Sequence, residues 1–268
     1  MNETFEKMLI YTYEFEKMSD FRPSLSEYWA TSFILALFYL ISIFMGQRYM
    51  KNRKAFNLRL PLTIWSFTLA IFSILGAVRT WEYLGSILML GGLKISLCHI
   101  GFIRNPTVRF WALLFVLSKI VELGDTAFII LRKQQLLFLH WFHHSTVLVY
   151  TCFAYKNGVA GGYWFMTMNY GVHAFMYSYY TVKALGLKPP RFLPMIITTL
   201  QITQMFVGAS VSILSFMWRK DCDCHTSKQY LFWTFAMYFA YFALFLNFFY
   251  KAYFRTARFK SKVKAKSQ

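Results

Sequence analysis

The chain has 268 residues, 57% of them hydrophobic and 21% aromatic, with 30 Phe and 18 Tyr. A soluble domain averages ~45–50% apolar residues; here the excess falls into long runs, which excludes an ordinary soluble domain and indicates a membrane protein. The net charge of +18 would suggest a nucleic-acid partner in a soluble domain, but the basic residues lie between and after apolar runs, so no nucleic acid is expected.

The first twenty residues mix Glu, Lys and Asp without an apolar core, so no signal peptide is expected. A bilayer core ~30 Å thick needs about 20 apolar residues per helix, and seven such segments are predicted. The first, 28–46, carries no charge. The second, 60–83, opens at Pro61, a favoured first-turn residue. The third, 110–131, contains Lys119, Glu122 and Asp125. The fourth, 134–155, contains His140, His143 and His144. The fifth, 159–182, contains Asn169, His173 and Tyr177. The sixth, 192–217, contains Gln201 and Gln204, and the seventh, 229–250, is rich in Phe and Tyr. Short connections make segments three to seven antiparallel neighbours. The expected fold is all-α: one polytopic domain over 1–268, with an N-terminal segment at 1–27 and a basic tail at 251–268.

Lysine and arginine set the orientation. One side holds Arg48, Lys51, Arg53, Lys54, Arg59, Arg132, Lys133, Lys183, Lys188 and Arg191, and the tail from Lys251 and Arg255 to Lys266. That makes 17 basic residues against 10 on the other side. The bias puts the tail in the cytosol and the N-terminus in the lumen. Lys264 and Lys266 complete a KxKxx ending, the form of a dilysine retrieval signal to the endoplasmic reticulum, and Asn2-Glu3-Thr4 is a glycosylation sequon on the lumenal side. Cys98, Cys222 and Cys224 fall in lumenal loops where disulfides are allowed, so Cys98 can pair with Cys222 or Cys224, or all three can stay thiols. Cys152 reads as packing.

His140, His143 and His144 stand at i, i+3 and i+4, so all three imidazoles share one helical face. Lys119, Glu122 and Thr126 likewise share a face, with Asp125 adjacent. Charged groups inside a span must face protein or a water-filled cavity. Each element has a plainer reading: an ion pair locking helices, a satisfied core histidine at His173, a Gln201–Gln204 pair gluing helices. Convergence separates the readings, since four segments place ionisable or amide groups at similar depths. A histidine cluster suggests a metal first, because imidazole suits Fe and Zn. A di-iron oxidoreductase of the desaturase or hydroxylase type needs more histidines than His140, His143, His144 and His173, the four expected within the membrane. A single zinc stays open, as do nucleophilic and acid–base chemistry and a non-enzymatic seven-helix transporter.

The ordered set Lys119…Glu122…Asp125-Thr126, His140…His143-His144, His173…Met176-Tyr177-Ser178-Tyr179-Tyr180 and Gln201…Gln204 resembles the very-long-chain fatty acid elongases. The 160–169 and 65–77 stretches resemble the branch acting on saturated and monounsaturated acyl-CoAs. The resemblance implies condensation of an acyl-CoA with malonyl-CoA to 3-ketoacyl-CoA, CO₂ and CoA, with no metal and no cofactor. It implies that helices two to seven form a barrel around an acyl tunnel. His143 would carry the acyl group as an acyl-imidazole, and His173 would be the second catalytic histidine. His140 and His144 would orient the nucleophile; Lys119, Glu122, Asp125, Asn169, Tyr177, Gln201 and Gln204 would support them. The implied partners are the 3-ketoacyl-CoA reductase, 3-hydroxyacyl-CoA dehydratase and enoyl-CoA reductase of the same cycle, and other elongases as oligomer partners. Both CoA substrates are cytosolic polyanions, and Arg132, Lys133, Lys183, Lys188, Arg191, Lys251 and Arg255 form a basic rim suited to their phosphates.

Overall fold

A computed structural model describes residues 29–98, 105–159, 161–220 and 227–255. Asn2, Cys222, Cys224, Lys264 and Lys266 lie outside the described residues, as do 1–28 and the tail beyond Arg255. The described residues are helical, with no strand among them. In chain order they form α1 (Thr31–Met50), α2 (Arg59–Cys98), α3 (Pro106–Val121), α4 (Gly124–Leu131), α5 (Phe138–Asn157), α6 (Gly162–Ala184), α7 (Leu193–Trp218) and α8 (Lys228–Phe249), which continues as a π-helical turn over Tyr250–Arg255.

Local signals account for the boundaries. Asn105 caps α3 by accepting from the Val108 amide at 3.2 Å, and Pro106 occupies the first turn. Ser227 caps α8 through the Tyr230 amide at 3.1 Å. Gly158 closes α5 at φ 57°, a left-handed position that glycine adopts without strain. Arg59 donates its Nε to the Ala184 carbonyl at 3.0 Å and an Nη to Leu185, so α2 supplies the cation at the C-terminus of α6.

Three boundaries differ from the sequence expectation. The second segment, expected to end at 83, stays helical to Gly91 and turns at Gly92, φ 71°, before finishing at Cys98. The third is interrupted at Glu122 and Leu123, so Lys119 ends one helix and Asp125 begins the next. The fourth starts at Phe138 rather than 134, because Leu137 is extended at ψ 146°. That delay places His140, His143 and His144 in the first two turns of α5.

Among the described residues four helices are long and apolar enough to cross a membrane: α1, α2, α7, and α8 with its π-helical turn. Of the other segments, α3 and α4 are too short, at 16 and 8 residues, because the helix breaks at Glu122 and Leu123, and α5 and α6 carry the histidines and Asn169 that lower their hydropathy. α1 buries the stripe Ser32, Ala36, Tyr39 and Ile43 and exposes Phe33, Ile34, Leu37 and Phe38, the pattern of a helix packed on one side and facing lipid on the other. These features make the chain a multi-pass membrane protein.

Packing departs from sequence order at the seam that forms the site. α5 packs on α1, α3 and α8, whereas α6 packs on α2, α3 and α7. α5 and α6 are consecutive but are not principal neighbours, so they face each other across open space instead of forming the expected antiparallel pair. Small residues bring the other partners close. A Cβ on Gly76 would stand 2.6 Å from the Tyr170 ring, and one on Gly208 would stand 2.4 Å from the Tyr238 ring. Gly208→Val should therefore force α7 and α8 apart at a cost of about 1–3 kcal/mol. Thermal unfolding in detergent reads this directly, and an unchanged midpoint would contradict that close approach.

Cys98 ends α2, buried and disulfide-bonded. Its candidate partners, Cys222 and Cys224, both lie outside the described residues. Cys152 is a free thiol, half-buried in α5.

Candidate active site

The space between α5 and α6 is a cavity that α7 and α8 also line. His140, His143 and His144 reach it from α5, Asn169 and His173 from α6, and Gln201 and Gln204 from α7, while Phe245 and Phe248 of α8 close one side. The three α5 histidines lie together, His140 and His144 tilted with ring centroids 4.4 Å apart and His143 and His144 edge-to-face at 5.3 Å. His143 also lies 4.9 Å from the Tyr241 ring, and Tyr241 bonds Thr146 at 2.6 Å. His143 is thus held by packing from α8 one turn away from the backbone that carries it.

Behind the histidines lies a buried ion pair. Lys119 and Glu122 are 2% and 3% exposed, and Lys119 Nζ donates to Glu122 Oε1 at 2.8 Å and to Asn169 Oδ1 at 2.8 Å. Ser118 donates to the same carboxylate oxygen at 3.0 Å, and the Phe115 ring lies 4.4 Å from the ammonium. An ion pair this deep in an apolar chain persists only because each charge has partners at hydrogen-bond distance. His173 Nδ1 stands 3.7 Å from Glu122 Oε1. That is longer than a hydrogen bond, and Glu122 Oε2 has no partner among the described residues. Glu122 is therefore placed to orient His173, with accepting capacity to spare.

A second network lies on the α1 and α2 side. Asp125 accepts from Trp65 Nε1 at 2.7 Å and from the Tyr177 hydroxyl at 2.7 Å. It does not line the cavity; it ties α2, α4 and α6 together. Thr126 Oγ1 lies 3.0 Å from His140 Nε2 and 2.7 Å from the Tyr39 hydroxyl. Tyr39, Trp65 and Tyr241 are contacts that the sequence reading did not identify. Each sits far along the chain from the residue it serves, and no local spacing signals it.

The structure brings together His140, His143, His144, His173, Asn169, Gln201 and Gln204 in the cavity, with Lys119 and Glu122 immediately behind. Gln201 is engaged by Met176 at 3.4 Å. Among the described residues no group of three or more His, Cys, Asp or Glu is arranged to hold a metal ion. None of Arg132, Lys133, Lys183, Lys188, Arg191, Lys251 and Arg255 lines the cavity. Lys133 Nζ donates to the carbonyls of Arg53 at 2.7 Å and Lys51 at 3.1 Å, tying the α1–α2 connection to the end of α4. Lys183 Nζ lies 5.7 Å from the Tyr179 ring, and Lys188, Arg191, Lys251 and Arg255 are exposed at the ends of α6, α7 and α8.

A separate cavity opens further along the same helices, between α3, α5 and α6. Ala112, Phe115, Ala154 and Met166 are among its walls. Phe115 and Met166 lie about one turn from Lys119 and Asn169, so one layer of side chains separates the two spaces.

The sequence profile of the GNS1/SUR4 family, ELO, matches residues 24–261. The chain belongs to the ELO family. It is 60% identical over 269 residues to human very long chain fatty acid elongase 3, covering 100% of this chain and 98% of that protein. The mouse elongase 3 is 53% identical over 260 residues, covering 97% of this chain and 95% of the mouse protein. Human very long chain fatty acid elongase 6 is 52% identical over 244 residues, covering 90% and 92% respectively. The ELO match spans α1 to α8, so the histidine cavity lies wholly inside the family region.

Proposed function

We propose that this ELO-family chain is a 3-oxoacyl-CoA synthase that condenses a long-chain saturated or monounsaturated acyl-CoA with malonyl-CoA in the first step of fatty acid elongation. The observation that carries this reading is His143 and His173 facing one cavity from two helices, with the Lys119–Glu122–Asn169 network behind them. A ring nitrogen of His143 attacks the acyl thioester carbonyl, the C–S bond breaks, and His173 donates a proton to the departing CoA thiolate. Malonyl-CoA then loses CO₂. Its enolate attacks the acyl-imidazole carbonyl, giving 3-ketoacyl-CoA and restoring His143. The amides of Asn169, Gln201 and Gln204 supply donors where the enolate oxygen develops charge. The turnover takes up one proton overall, which solvent returns to His173, and no cofactor enters the cycle.

The second to seventh segments, which are α2 to α8, form a barrel around an acyl tunnel. The histidine cavity is the reactive part and the cavity between α3, α5 and α6 takes the chain's methyl end. Filling that cavity with Ala112→Phe should cut turnover of the longest acyl-CoAs about tenfold or more and spare shorter ones, since a hydrophobic pocket discriminates by 10- to 200-fold per misfit methylene. Assaying a series of acyl-CoA lengths checks this; a uniform loss at every length would place the chain elsewhere.

The basic ends of α4, α6, α7 and α8 receive the CoA phosphates. The N-terminus with a glycan on Asn2 is lumenal, the tail with Lys264 and Lys266 is cytosolic, and the protein resides in the endoplasmic reticulum membrane beside the reductases and dehydratase of the cycle. Cys98 pairs with Cys222 or Cys224 in the lumen. The deciding experiment supplies purified protein with a long saturated acyl-CoA and carboxyl-labelled malonyl-CoA. Release of labelled CO₂ in step with 3-ketoacyl-CoA is expected. No release would reject the condensation reading.

A further inference from the structure

The histidine cavity is linked to α1, the lipid-facing first helix, through two hydroxyls. Tyr39 and Thr126 are 6% and 2% exposed, and their oxygens are 2.7 Å apart; Thr126 Oγ1 is 3.0 Å from His140 Nε2. Thr126 has one proton. It can donate to His140 or to Tyr39, but not to both. If it donated to Tyr39, the Tyr39 proton would have no acceptor, because Tyr39 makes no other hydrogen bond among the described residues. A buried donor left unpaired is costly. The proton order that satisfies both hydroxyls and Nε2 runs from the Tyr39 hydroxyl to Thr126 Oγ1, and from the Thr126 hydroxyl to His140 Nε2. That order makes Nε2 an acceptor.

We infer that Tyr39 is a positioning residue: through Thr126 it fixes His140 as the neutral tautomer protonated on Nδ1, and so sets the face that His140 turns to His144 and the reacting groups. This rests on the condensation reading for its kinetic consequence, but the tautomer itself does not. The alternative tautomer would turn Nε2–H toward Thr126 and reverse the whole relay. His144 lies 4.4 Å from His140 by ring centroid, and its own Nδ1 has no partner among the described residues. The orientation of the His140 ring is therefore supplied by the α1–α4 hydroxyls and not by its neighbour on α5.

The test uses the full-length protein in detergent micelles or nanodiscs. Tyr39→Phe keeps the ring and removes the hydroxyl, and should lower kcat about three- to tenfold, the loss of one buried hydrogen bond, with KM unchanged. Thr126→Val should do the same, Thr126→Ser should retain wild-type kcat, and the Tyr39→Phe/Thr126→Val double variant should be no slower than Thr126→Val alone, because residues in one relay are not additive. Nitrogen NMR of histidine-labelled protein, with His140 assigned by His140→Gln, should show Nδ1 protonated and Nε2 bare in the wild type. A wild-type kcat for Tyr39→Phe, fully additive losses, or an Nε2-protonated His140 would each overturn the relay. If Thr126→Val fails to fold, Tyr39→Phe and the nitrogen spectrum decide. A wild-type protein without condensation activity would count against the proposed function, while the spectrum still tests the relay.

Discussion

His143→Ala should lower kcat by at least about 10³-fold, because removal of a covalent nucleophile leaves only binding and electrostatic stabilisation. The expected signature is chemical as well as kinetic. Wild-type protein incubated with a long saturated acyl-CoA and no malonyl-CoA should gain one acyl mass in an intact-protein spectrum, and His143→Ala should gain none. In His173→Ala the adduct should still form, more slowly, and malonyl-CoA should fail to discharge it. The His143→Ala/His173→Ala pair should be no slower than His143→Ala, since the two act as one unit across the cavity between α5 and α6. An adduct that persists on His143→Ala would move the nucleophile to another histidine of the box.

Lys119→Met should be the most destabilising single change among the site residues. It leaves the Glu122 carboxylate buried at 3% exposure with only Ser118 as donor, and it removes the donor to Asn169. Breaking a buried pair by removing one partner costs about 3–5 kcal/mol. Glu122→Gln removes the charge that Lys119 compensates and should cost a comparable amount. The double variant should cost less than the sum of the two, because neither uncompensated charge remains. Thermal unfolding of the three variants closes the cycle, and strict additivity would show that the ion pair contributes nothing as a pair. The link from Glu122 to His173 at 3.7 Å predicts that activity falls further than stability in Glu122→Gln.

The site was legible wherever its residues lie within two turns of each other. The i, i+3, i+4 spacing put His140, His143 and His144 on one face of α5, and they share one cavity. The same argument put Lys119 beside Glu122, and they pair at 2.8 Å. Spacing put Thr126 on the Lys119–Glu122 face with Asp125 adjacent, but both turn to the α1 and α2 side. The helix breaks at Glu122 and Leu123, and Asp125 turns instead to Trp65 and Tyr177. The basic rim was legible as a charge bias but not as a set of contacts. A topology bias fixes which end of the bundle a lysine occupies, and only packing decides that Lys133 is taken by the Arg53 and Lys51 carbonyls.

The sequence by itself determined the all-helical, membrane-embedded character of the chain, the histidine face and the buried ion pair, because hydropathy and helical periodicity act over a few residues. Tertiary structure alone decided that α5 and α6, consecutive and joined by a short connection, stand apart with the cavity between them. The reason is steric and polar together. α6 is drawn onto α2 by Gly76, which admits the Tyr170 ring, while α5 is held on α1, α3 and α8. The imidazoles facing inward are thereby left lining space instead of an apolar seam. Tyr39 reaches His140 through Thr126 across 87 residues of sequence in its first step, a separation over which no periodic pattern carries information.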